Sequence, residues 1–515
     1  MSQYIPTIGL EIHIELKTRT KMFCVCLNDS EEKHPNINVC PVCLAHPGTL
    51  PTINEEALKS VLKLGLALNA EISDVSKFDR KNYFYPDLPK GYQISQYDAP
   101  LCVGGYLGIP SFTEDIEAKK PQIPNPKSQT NSKSQIPKCK KIRIQRIHLE
   151  EDTGKLIHSD DGKNSFVDFN RTGVPLAELV TEPDISSALE ARRFTEELRS
   201  ILRYLGIANA DMEKGELRCE VNISLNKEGE KELGTKVEIK NLNSFRAVEG
   251  AIEYEVKRQS EILEEGGKII QETRGWDESK GATVSQRQKE EAHDYRYFLE
   301  PDLLPLKPKE LFDLEELKRE IPELPNDKRL RFMKEFGLKF GEVDSLVAEP
   351  LVARYCEEVV SELDTFEKTI DKRREKRIKL AYNYFTSDLK GLMTEAGIKI
   401  EELKISPHHF AHLVDFVDKN MISSAAAKSV LKEIFERGID PESIIKEKNL
   451  FQISDSKNLE EVINRVIKNN PQVVSDYKKG KENALQFLVG EVMKETKGRA
   501  NPTVVSEQVK ALLTK

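Results

Sequence analysis

Several common sequence features are missing from this chain of 515 residues. No stretch approaches the ~18 uninterrupted apolar residues of a membrane span, so no membrane association is expected. There is neither a Walker A sequence nor a Gly-x-Gly-x-x-Gly turn, so any nucleotide is not held by a P-loop or a Rossmann turn. No Gly-x-Ser-x-Gly elbow is present either. An alternating strand begins at Thr7, so no targeting peptide is expected and the cytoplasm is the expected compartment.

A disulfide framework and an overall basic charge are also missing. Four of the eight cysteines lie between Cys24 and Cys43, and the others are scattered singly, which favours a reduced interior. The formal net charge of −8 argues against a general nucleic-acid coat, because bulk electrostatic binding needs a basic surface. A specific RNA partner that contacts local basic patches is compatible with this charge.

The residue patterns that are present divide the chain into two parts. Up to about residue 305, alternating segments predict strands with helices between them, whereas helical periods predominate beyond it. We therefore predict an α+β fold. An N-terminal domain of antiparallel sheet and helices (1–295) is followed by two all-helical domains (296–405 and 406–515). The last segment, 476–515, has more Lys and Arg than Asp and Glu, which is compatible with RNA contact or with a solvated helix face.

Strictly alternating segments predict the sheet. Residues 8–16, 216–225 and 236–240 place apolar side chains on one face and Glu, His, Arg, Lys or Asn on the other. A further strand, 142–150, changes phase near Gln145, which indicates a bulge that re-aims side chains. A charged face of this kind is often simply solvated, so that alternative stays open.

Other segments are assigned to loops and helix caps. The run 77–97 mixes aromatic, proline and basic residues without a period, which predicts a long functional loop. Residues 117–141 are rich in Lys, Pro, Ser, Gln and Asn, which predicts a disordered insertion of unknown purpose between two strands. Asn54 and Ser186 are each expected to cap the helix that follows.

The stretch 148–184 interleaves charges with β-forming residues, which is typical of a cation, phosphate or proton-transfer site. The candidate ligands of a divalent cation, taken with a strand earlier in the chain, are Glu11, His13, Glu150, Glu151 and Glu178. Glu11 and His13 lie two residues apart on that strand, hence ~7 Å between their α-carbons. Oxygen ligands suit Mg²⁺ and histidine suits Mn²⁺ or Zn²⁺ better, so the pattern leaves the metal open.

A phosphoryl-transfer site without a P-loop needs a carboxylate-bound metal and side-chain cations around the phosphate. The candidate cations are Lys81, Arg171, Arg218 and Lys240.

The clustered cysteines offer a second metal site. Cys24 and Cys26 are followed, after thirteen residues, by Cys40 and Cys43. Four thiolates are the ligand set of a closed tetrahedral zinc site with a structural role. The Cys40 pair has the usual knuckle spacing and the Cys24 pair is closer than usual, so four reduced cysteines without metal are the alternative.

Long motifs in the chain resemble one known family, the B subunits of the glutamine-dependent aspartyl/glutamyl-tRNA amidotransferases. The resemblance covers nearly the whole chain. The motifs are IGLEIHIEL (8–16), FDRKNYFYP (78–86), GYQISQ (91–96), HLEED (148–152), NR (170–171), TEPD (181–184), KNLNSF (240–245) and YRYF (295–298).

The resemblance implies an architecture and a reaction. The architecture is a cradle of sheet and helices, a helical domain and a helical tail similar to free-standing YqeY-type proteins, for which we expect tRNA contact. In the reaction, ATP phosphorylates the side-chain carboxylate of glutamate or aspartate misattached to the tRNA for glutamine or asparagine, and ammonia displaces the phosphate. An A subunit would supply ammonia as a glutaminase, and a small C subunit would complete a heterotrimer.

The resemblance also assigns residues. Glu11, His13, Glu151 and Glu178 resemble the family's magnesium ligands. Glu150 lies beside them as a carboxylate for a second metal or for the phosphate side, and Lys81 resembles a lysine near the ammonia outlet. We expect Glu150, Lys81 and Arg218 to be catalytic. The residues expected to bind substrate or nucleotide are Tyr83, Arg171, Lys240 and Asn241. The four cysteines match a zinc site that part of the family has.

Two alternatives compete with this family. An archaeal relative that acts only on glutamyl-tRNA carries a large additional synthetase-like domain, for which the insertion 117–141 is too short. The other alternative is a non-catalytic tRNA-binding scaffold, whose sheet face contacts phosphates through Lys and Arg while the carboxylates face solvent.

Overall fold

The structure is a computed structural model that describes every residue except 1–3, 30, 112–137, 228, 230, 231, 289–294, 367–371, 453–455, 479, 480, 482, 497–499, 501 and 515. The strands are β1 (Tyr4–Glu15), β2 (Glu71–Ile72), β3 (Asp79–Asn82), β4 (Tyr92–Ser95), β5 (Cys102–Val103), β6 (Tyr106–Ser111), β7 (Lys138–Glu151), β8 (Lys155–His158), β9 (Ser165–Asp168), β10 (Pro175–Thr181), β11 (Leu217–Lys227), β12 (Val237–Leu242), β13 (Glu272–Asp277), β14 (Ala282–Gln288) and β15 (Phe298–Leu299).

The helices alternate with these strands at first and then follow one another. They are α1 (Glu55–Ala67), α2 (Ala188–Leu205), α3 (Phe245–Glu264), α4 (Pro308–Leu311), α5 (Leu314–Arg319), α6 (Pro325–Phe336), α7 (Phe340–Val347), α8 (Pro350–Phe366), α9 (Lys372–Asn383), α10 (Lys390–Ala396), α11 (Pro407–Asp418), α12 (Ser424–Arg437), α13 (Pro441–Glu447), α14 (Ser456–Asn469), α15 (Pro471–Lys478), α16 (Asn483–Glu495) and α17 (Pro502–Thr514). A π-helical segment, Tyr384–Leu389, joins α9 to α10, and a short 3-10 turn spans Ile400–Glu402.

The chain divides into two compact units, Met1–Lys328 and Arg329–Lys515. The described strands all lie in the first unit and the second is helical, which confirms the α+β fold class. Residues 296–328 belong to the first unit, and the division between the two helical domains near residue 405 stays a prediction. None of the helices in the described part of the chain is both long enough and apolar enough to span a membrane.

The first unit contains one large sheet in the order β14-β13-β12-β11-β1-β10-β7-β5-β2, with β6 also paired to β7. Its described pairs are antiparallel apart from β12 and β13, which are parallel. The three segments predicted from strict alternation are β1, β11 and β12, and they are antiparallel neighbours. The predicted three-stranded arrangement is therefore confirmed, within a wider sheet.

The apolar face of this sheet forms the core of the first unit. Leu10, Ile12 and Ile14 of β1 are buried in the same cluster as Phe194 and Leu198 of α2. The side chains alternate along a strand and recur every three or four residues along a helix, so each element presents one apolar face to the other. The opposite, charged face of the sheet is therefore the face on which a binding or catalytic site can form.

Helix α2 begins one residue later than predicted. The extended residue Ser187, not Ser186, is its N-cap, and the Ser187 hydroxyl accepts a hydrogen bond from the Glu190 amide. Ser186 instead binds the Glu190 carboxylate through its amide and hydroxyl. The cap must directly precede the first helical residue for its oxygen to reach the amides of the first turn. Asn54 caps α1 as predicted.

The phase change in β7 is a bulge, as predicted. Arg146 pairs with Val180 and Ile144 pairs with Thr181, so that Gln145 has no opposite residue in β10. The Gln145 carbonyl accepts a hydrogen bond from the Gly104 amide instead. The extra residue returns the apolar side chains that follow it to the core and fixes which later side chains face the charged side.

Two predicted loops need correction. The run 77–97, predicted to be a loop, contains β3 and β4, which form a three-stranded sheet with β15. Each of these two strands has only four residues, too few to show a period, and β15 is distant in sequence. Of the predicted insertion 117–141, residues 117–137 lie outside the described residues. Residues 138–141 belong to β7 and pair with β6 rather than forming part of a loop.

Candidate active site on the charged face of the sheet

The register of four strands places four polar side chains in one row. His13 of β1 lies opposite Arg218 of β11 on one side and Glu178 of β10 on the other. Glu178 in turn lies opposite His148 of β7. Directly opposed residues in antiparallel strands project to the same face, so the four side chains share the charged face. Glu11 and Glu150 lie two residues from His13 and His148 and project to the same face.

The side chains of this row are in contact. The His13 Nε2 atom is 3.4 Å from Glu150 Oε1 and 3.5 Å from Glu178 Oε2. His148 Nε2 is 3.2 Å from the same Glu178 oxygen. Glu150, Glu178 and His148 are buried. Buried carboxylates at this density require compensation by cations.

Two overlapping groups of these residues have the geometry of a metal site. Glu11, His13 and Glu178 form one group, and His148, Glu150 and Glu178 form the other; the ligand atoms in each lie within 4.8 Å of one another. Glu150 Oε2 and His148 Nδ1 are buried and make no hydrogen bond. Buried polar atoms that make no hydrogen bond are costly, so the donor set fits a bound cation.

The pKa shifts of these groups reflect mutual charge. Burial alone would lower the pKa of His13, but Glu150 and Glu178 outweigh it and raise that pKa to about 9. Burial would raise the pKa of Glu150, yet Lys81 and His13 lower it to about 2. Burial and the nearby Glu178 raise the pKa of Glu11. The carboxylates therefore depend on neighbouring positive charge to remain ionised.

Three of the four predicted cations line the same recess, which has a volume of about 510 Å³. Lys81 Nζ is 3.6 Å from Glu150, and Lys240 Nζ is 2.8 Å from both carboxylate oxygens of Glu220. Arg218 Nη2 donates to Asp152 Oδ2 at 2.9 Å, and this carboxylate raises the pKa of Arg218. These cations are in place to meet an anionic ligand over the carboxylates.

The fourth predicted cation, Arg171, reaches the site only through another residue. Its Nε is 3.5 Å from Asp152 Oδ2, and its guanidinium donates to the carbonyls of Thr153 and Gly154. Arg171 therefore supports the carboxylate that binds Arg218.

Two predicted site residues lie elsewhere. Glu151 points to the opposite face, where it is 2.5 Å from Lys90 Nζ and accepts from the Ile94 amide, because adjacent residues on a strand face opposite sides. The predicted ligand set of Glu11, His13, Glu151 and Glu178 is therefore not assembled. Asn241 has a φ of 63° at a register shift between β11 and β12, and lines a separate recess. Tyr83, by contrast, lines the main recess.

Sequence reasoning missed several residues of the site. His148 received no role, although it shares a strand phase with Glu150 once the bulge is passed, so the signal was available. Asp152 likewise lay within the HLEED motif. Tyr295 and Tyr297 also line the recess. They precede β15, which pairs with the distant strand β3, and no local sequence pattern predicts that pairing.

The four clustered cysteines come together in the first unit. The sulfur atoms of Cys24, Cys26, Cys40 and Cys43 lie within 4.8 Å of one another, and those of Cys40 and Cys43 are 3.8 Å apart. A tetrahedral zinc with Zn–S bonds of ~2.3 Å separates its sulfurs by ~3.8 Å. A hydrogen bond from Cys24 lowers the pKa of Cys43 to about 5, which favours a thiolate. The residues fit a closed zinc site.

Comparison with known proteins assigns the chain to a class. Residues 6–312 match the family described as the GatB/GatE catalytic domain, and residues 364–513 match the family described as the GatB domain. The first match contains the whole charged row and the cysteine cluster. The class is thus that of GatB/GatE-type catalytic domains.

Curated relatives define the family within this class. A protein of Persephonella marina is 46% identical over 511 residues, covering 99% of this chain and 100% of the relative. One of Caldicellulosiruptor saccharolyticus is 46% identical over 516 residues and 100% of both chains, and one of Thermotoga sp. strain RQ2 is 46% identical over 515 residues and 99% of both. Each bears the name of the B subunit of aspartyl/glutamyl-tRNA(Asn/Gln) amidotransferase. The chain belongs to this family of B subunits, which confirms the resemblance found in its motifs.

Proposed function

We propose that this B subunit carries out the ATP-dependent step that converts glutamyl-tRNA(Gln), aspartyl-tRNA(Asn) or both to the amidated forms. The observation that carries the proposal is the pair of ligand groups sharing Glu178 in a recess also lined by Lys81 and Arg218. This combination suits the transfer of a phosphoryl group, whose charge must be balanced on several oxygens at once. The names of the relatives supply the substrate class.

The chemistry requires two steps because a carboxylate is a poor acyl donor. In the first step an oxygen of the tRNA-borne carboxylate forms a bond to the γ-phosphorus of ATP, and the bond from that phosphorus to ADP breaks. In the second, the nitrogen lone pair of ammonia attacks the acyl carbon, and the carbon–oxygen bond to phosphate breaks. The nitrogen then loses a proton to give the neutral amide.

The chain's own residues bind and orient the anionic groups. Lys81 keeps Glu150 ionised and supplies positive charge at the floor of the recess. Arg218 lines the recess and is held there by Asp152 through one terminal nitrogen. A guanidinium fixed in this way has donors available for phosphate oxygens. Lys240 adds charge at the β12 side of the recess.

We propose Mg²⁺ as the cation of this site. It would be held by Glu11, His13 and Glu178, with His148 and Glu150 offering an adjacent position that shares Glu178. When bound, it supplies positive charge against the phosphate oxygens of ATP. Glu150 would belong to the second position, as a carboxylate for a second metal or for the phosphate side.

The cysteine cluster is proposed to hold a structural Zn²⁺. The buried side chain of Lys21 lies near it and lowers the pKa of Cys43 further, and Lys21 Nζ donates to the carbonyls of Asn38 and Phe169. The ammonium group compensates thiolate charge and ties the segment between the cysteine pairs to the segment that precedes Arg171. The metal would thus stabilise one wall of the domain without entering the reaction.

The proposed partners are an A subunit with glutaminase activity, which supplies ammonia, a C subunit that completes a heterotrimer, and misacylated tRNA. We propose the cytoplasm as the compartment in which the chain acts on this tRNA. The tail, residues 406–515, is proposed to contact the tRNA. Truncation after Lys404 should lower tRNA affinity while glutaminase activity of the complex remains, and unchanged affinity would refute the role of the tail.

The decisive test is a transamidation assay with the chain assembled with its A and C subunits and either misacylated tRNA. Product should form only with ATP and a divalent cation, and equal product without ATP would refute the acyl-phosphate mechanism. Glu150→Gln should abolish the ATP-dependent step and leave tRNA binding nearly unchanged. An equal loss of both would instead support the non-catalytic scaffold.

A further inference from the structure

Four tyrosines lie along one side of the recess, and the proposed phosphoryl transfer gives them no role. Tyr83, Tyr97, Tyr295 and Tyr297 all line it. The rings of Tyr97 and Tyr297 are stacked, with centroids 4.3 Å apart and planes 10° from parallel. Tyr295 meets both Tyr297 and Tyr83 edge to face at 6.0 Å. We call this set the tyrosine wall.

Hydrogen bonds to backbone carbonyls hold the tyrosine wall in place. It faces the floor of the recess, by which we mean the charged row of Arg218, His13, Glu178 and His148 together with Glu11, Glu150 and Lys81. The Asn82 amide donates to the Tyr295 carbonyl at 3.0 Å, and the Asn82 side chain donates to the Arg296 carbonyl at 2.8 Å. Arg296, between two of the tyrosines, has a φ of 45°. Left-handed backbone at such a residue is costly and is found where ligands are clamped.

The other half of the tyrosine wall is fixed in the same way. The Tyr97 amide donates to Asp79 Oδ2 at 3.2 Å. The preceding residue, Gln96, accepts a hydrogen bond from the Leu149 amide at 3.1 Å, between His148 and Glu150 of the charged row. Hydrogen bonds to β3 and β7 therefore fix the position of this part of the tyrosine wall relative to the carboxylates.

The chemistry of the wall differs from that of the floor. Carboxylates, histidines and cations of the floor suit an anionic group, whereas stacked rings suit a flat, weakly polar one. Tyr97 is 59% exposed, so the ring stack is not closed on its side. A ligand with a planar base at one end and negative charge at the other would contact both surfaces at once.

We propose that the stacked pair of Tyr97 and Tyr297 binds an adenine base of a substrate while the anionic or acyl end of that substrate lies over the charged row. The inference rests on the proposed function, whose two substrates both carry adenine, as ATP and as the 3′-terminal adenosine of tRNA. Aromatic side chains stack on bases of either kind. The structure thus adds a base-stacking subsite to the charged site.

The test measures transamidation kinetics of the assembled complex for Tyr97→Ala, with the KM for ATP and the KM for misacylated tRNA determined separately. Stacking on one aromatic ring corresponds to a change of about five- to 140-fold in affinity. The KM of the substrate that supplies the base should rise by that factor. A rise confined to ATP identifies its adenine, and a rise confined to tRNA identifies the terminal adenosine.

Two control variants separate stacking from damage to the fold. Tyr97→Phe keeps the ring and should retain both KM values. Phe166→Ala removes an equally exposed ring, also 59% exposed, from the hairpin of β8 and β9 outside the recess, and should change neither. Unchanged KM values in Tyr97→Ala, or equal losses in the alanine and phenylalanine variants, would overturn the proposal. A wild-type complex that makes product without ATP would instead refute the proposed function.

Discussion

Replacing Glu178 by glutamine should weaken binding of a divalent cation more than any other single change in the charged row. The substitution keeps the size of the side chain and removes its charge. Glu178 is the one residue shared by the two ligand groups found among the described residues of the charged face. Without its carboxylate, each group is reduced to a pair, Glu11 with His13 and His148 with Glu150.

The magnitude follows from counting ligands. Loss of a partner outside the coordination sphere usually costs ten- to a hundred-fold in metal affinity, so loss of a shared direct ligand should cost at least about a hundred-fold, or ~2.7 kcal/mol. Glu150→Gln affects only one group and leaves Glu11, His13 and Glu178 intact. We expect it to lower affinity for the first cation by about ten-fold at most.

Titration calorimetry with Mg²⁺ or Mn²⁺ measures these affinities, after circular dichroism has shown that each variant is folded. The matched control is Glu151→Gln, which alters an equally buried carboxylate, 2% exposed like that of Glu150, on the opposite face. It should leave cation affinity within about two-fold of wild type, because its partners are Lys90 and the Ile94 amide. A loss in Glu151→Gln as large as in Glu178→Gln would refute the assignment of ligands from strand register.

Three other changes test the metal site and the fold. Cys43→Ser should reduce zinc below about half an equivalent per chain by elemental analysis and lower the melting temperature. Gly105→Ala should destabilise the chain in urea by at least ~1 kcal/mol more than Gly206→Ala, since both have positive φ but only the first places a Cβ 2.6 Å from a carbonyl oxygen, that of Leu68. Burial opposes ionisation of Glu255, yet hydrogen bonds from neighbouring side chains lower its pKa. Its stabilising effect is therefore present above the unfolded pKa of ~4.3 and lost as pH falls through the folded value, so Glu255→Gln should be less stable at pH 7 and approach wild type in acid.

Local sequence patterns predicted correctly those features that a single strand or helix determines, such as which of its side chains are buried and where it contains a bulge. Strict alternation in β1 separated Leu10, Ile12 and Ile14 from Glu11 and His13, and the structure buries the first three. The phase change in β7 predicted its bulge for the same reason. A period of two or of 3.6 is set by backbone geometry alone and survives in the fold.

The parts that could not be predicted depend on pairing between distant segments. Tyr297 reaches the recess because β15 pairs with β3, and two-residue and four-residue strands are too short to show a period. The position of Glu151, by contrast, follows from a local pattern, because the strand phase that places Glu150 on the charged face places its neighbour on the other. The position of Asn241 could not be read from the alternation of β12, because a register shift between β11 and β12 occurs beside it and its side chain lines a separate recess.

The row of Arg218, His13, Glu178 and His148 also bears on how the protein is made. These residues come from four strands, and the order of the strands in the sheet differs from their order in the chain. A nascent chain that has not yet emerged beyond β11 therefore lacks one end of the row, whatever part of the sheet has already paired. Contacts of such high sequence separation form slowly, so the proposed binding of nucleotide and metal at this row should be acquired late in folding and serve as a reporter of its completion.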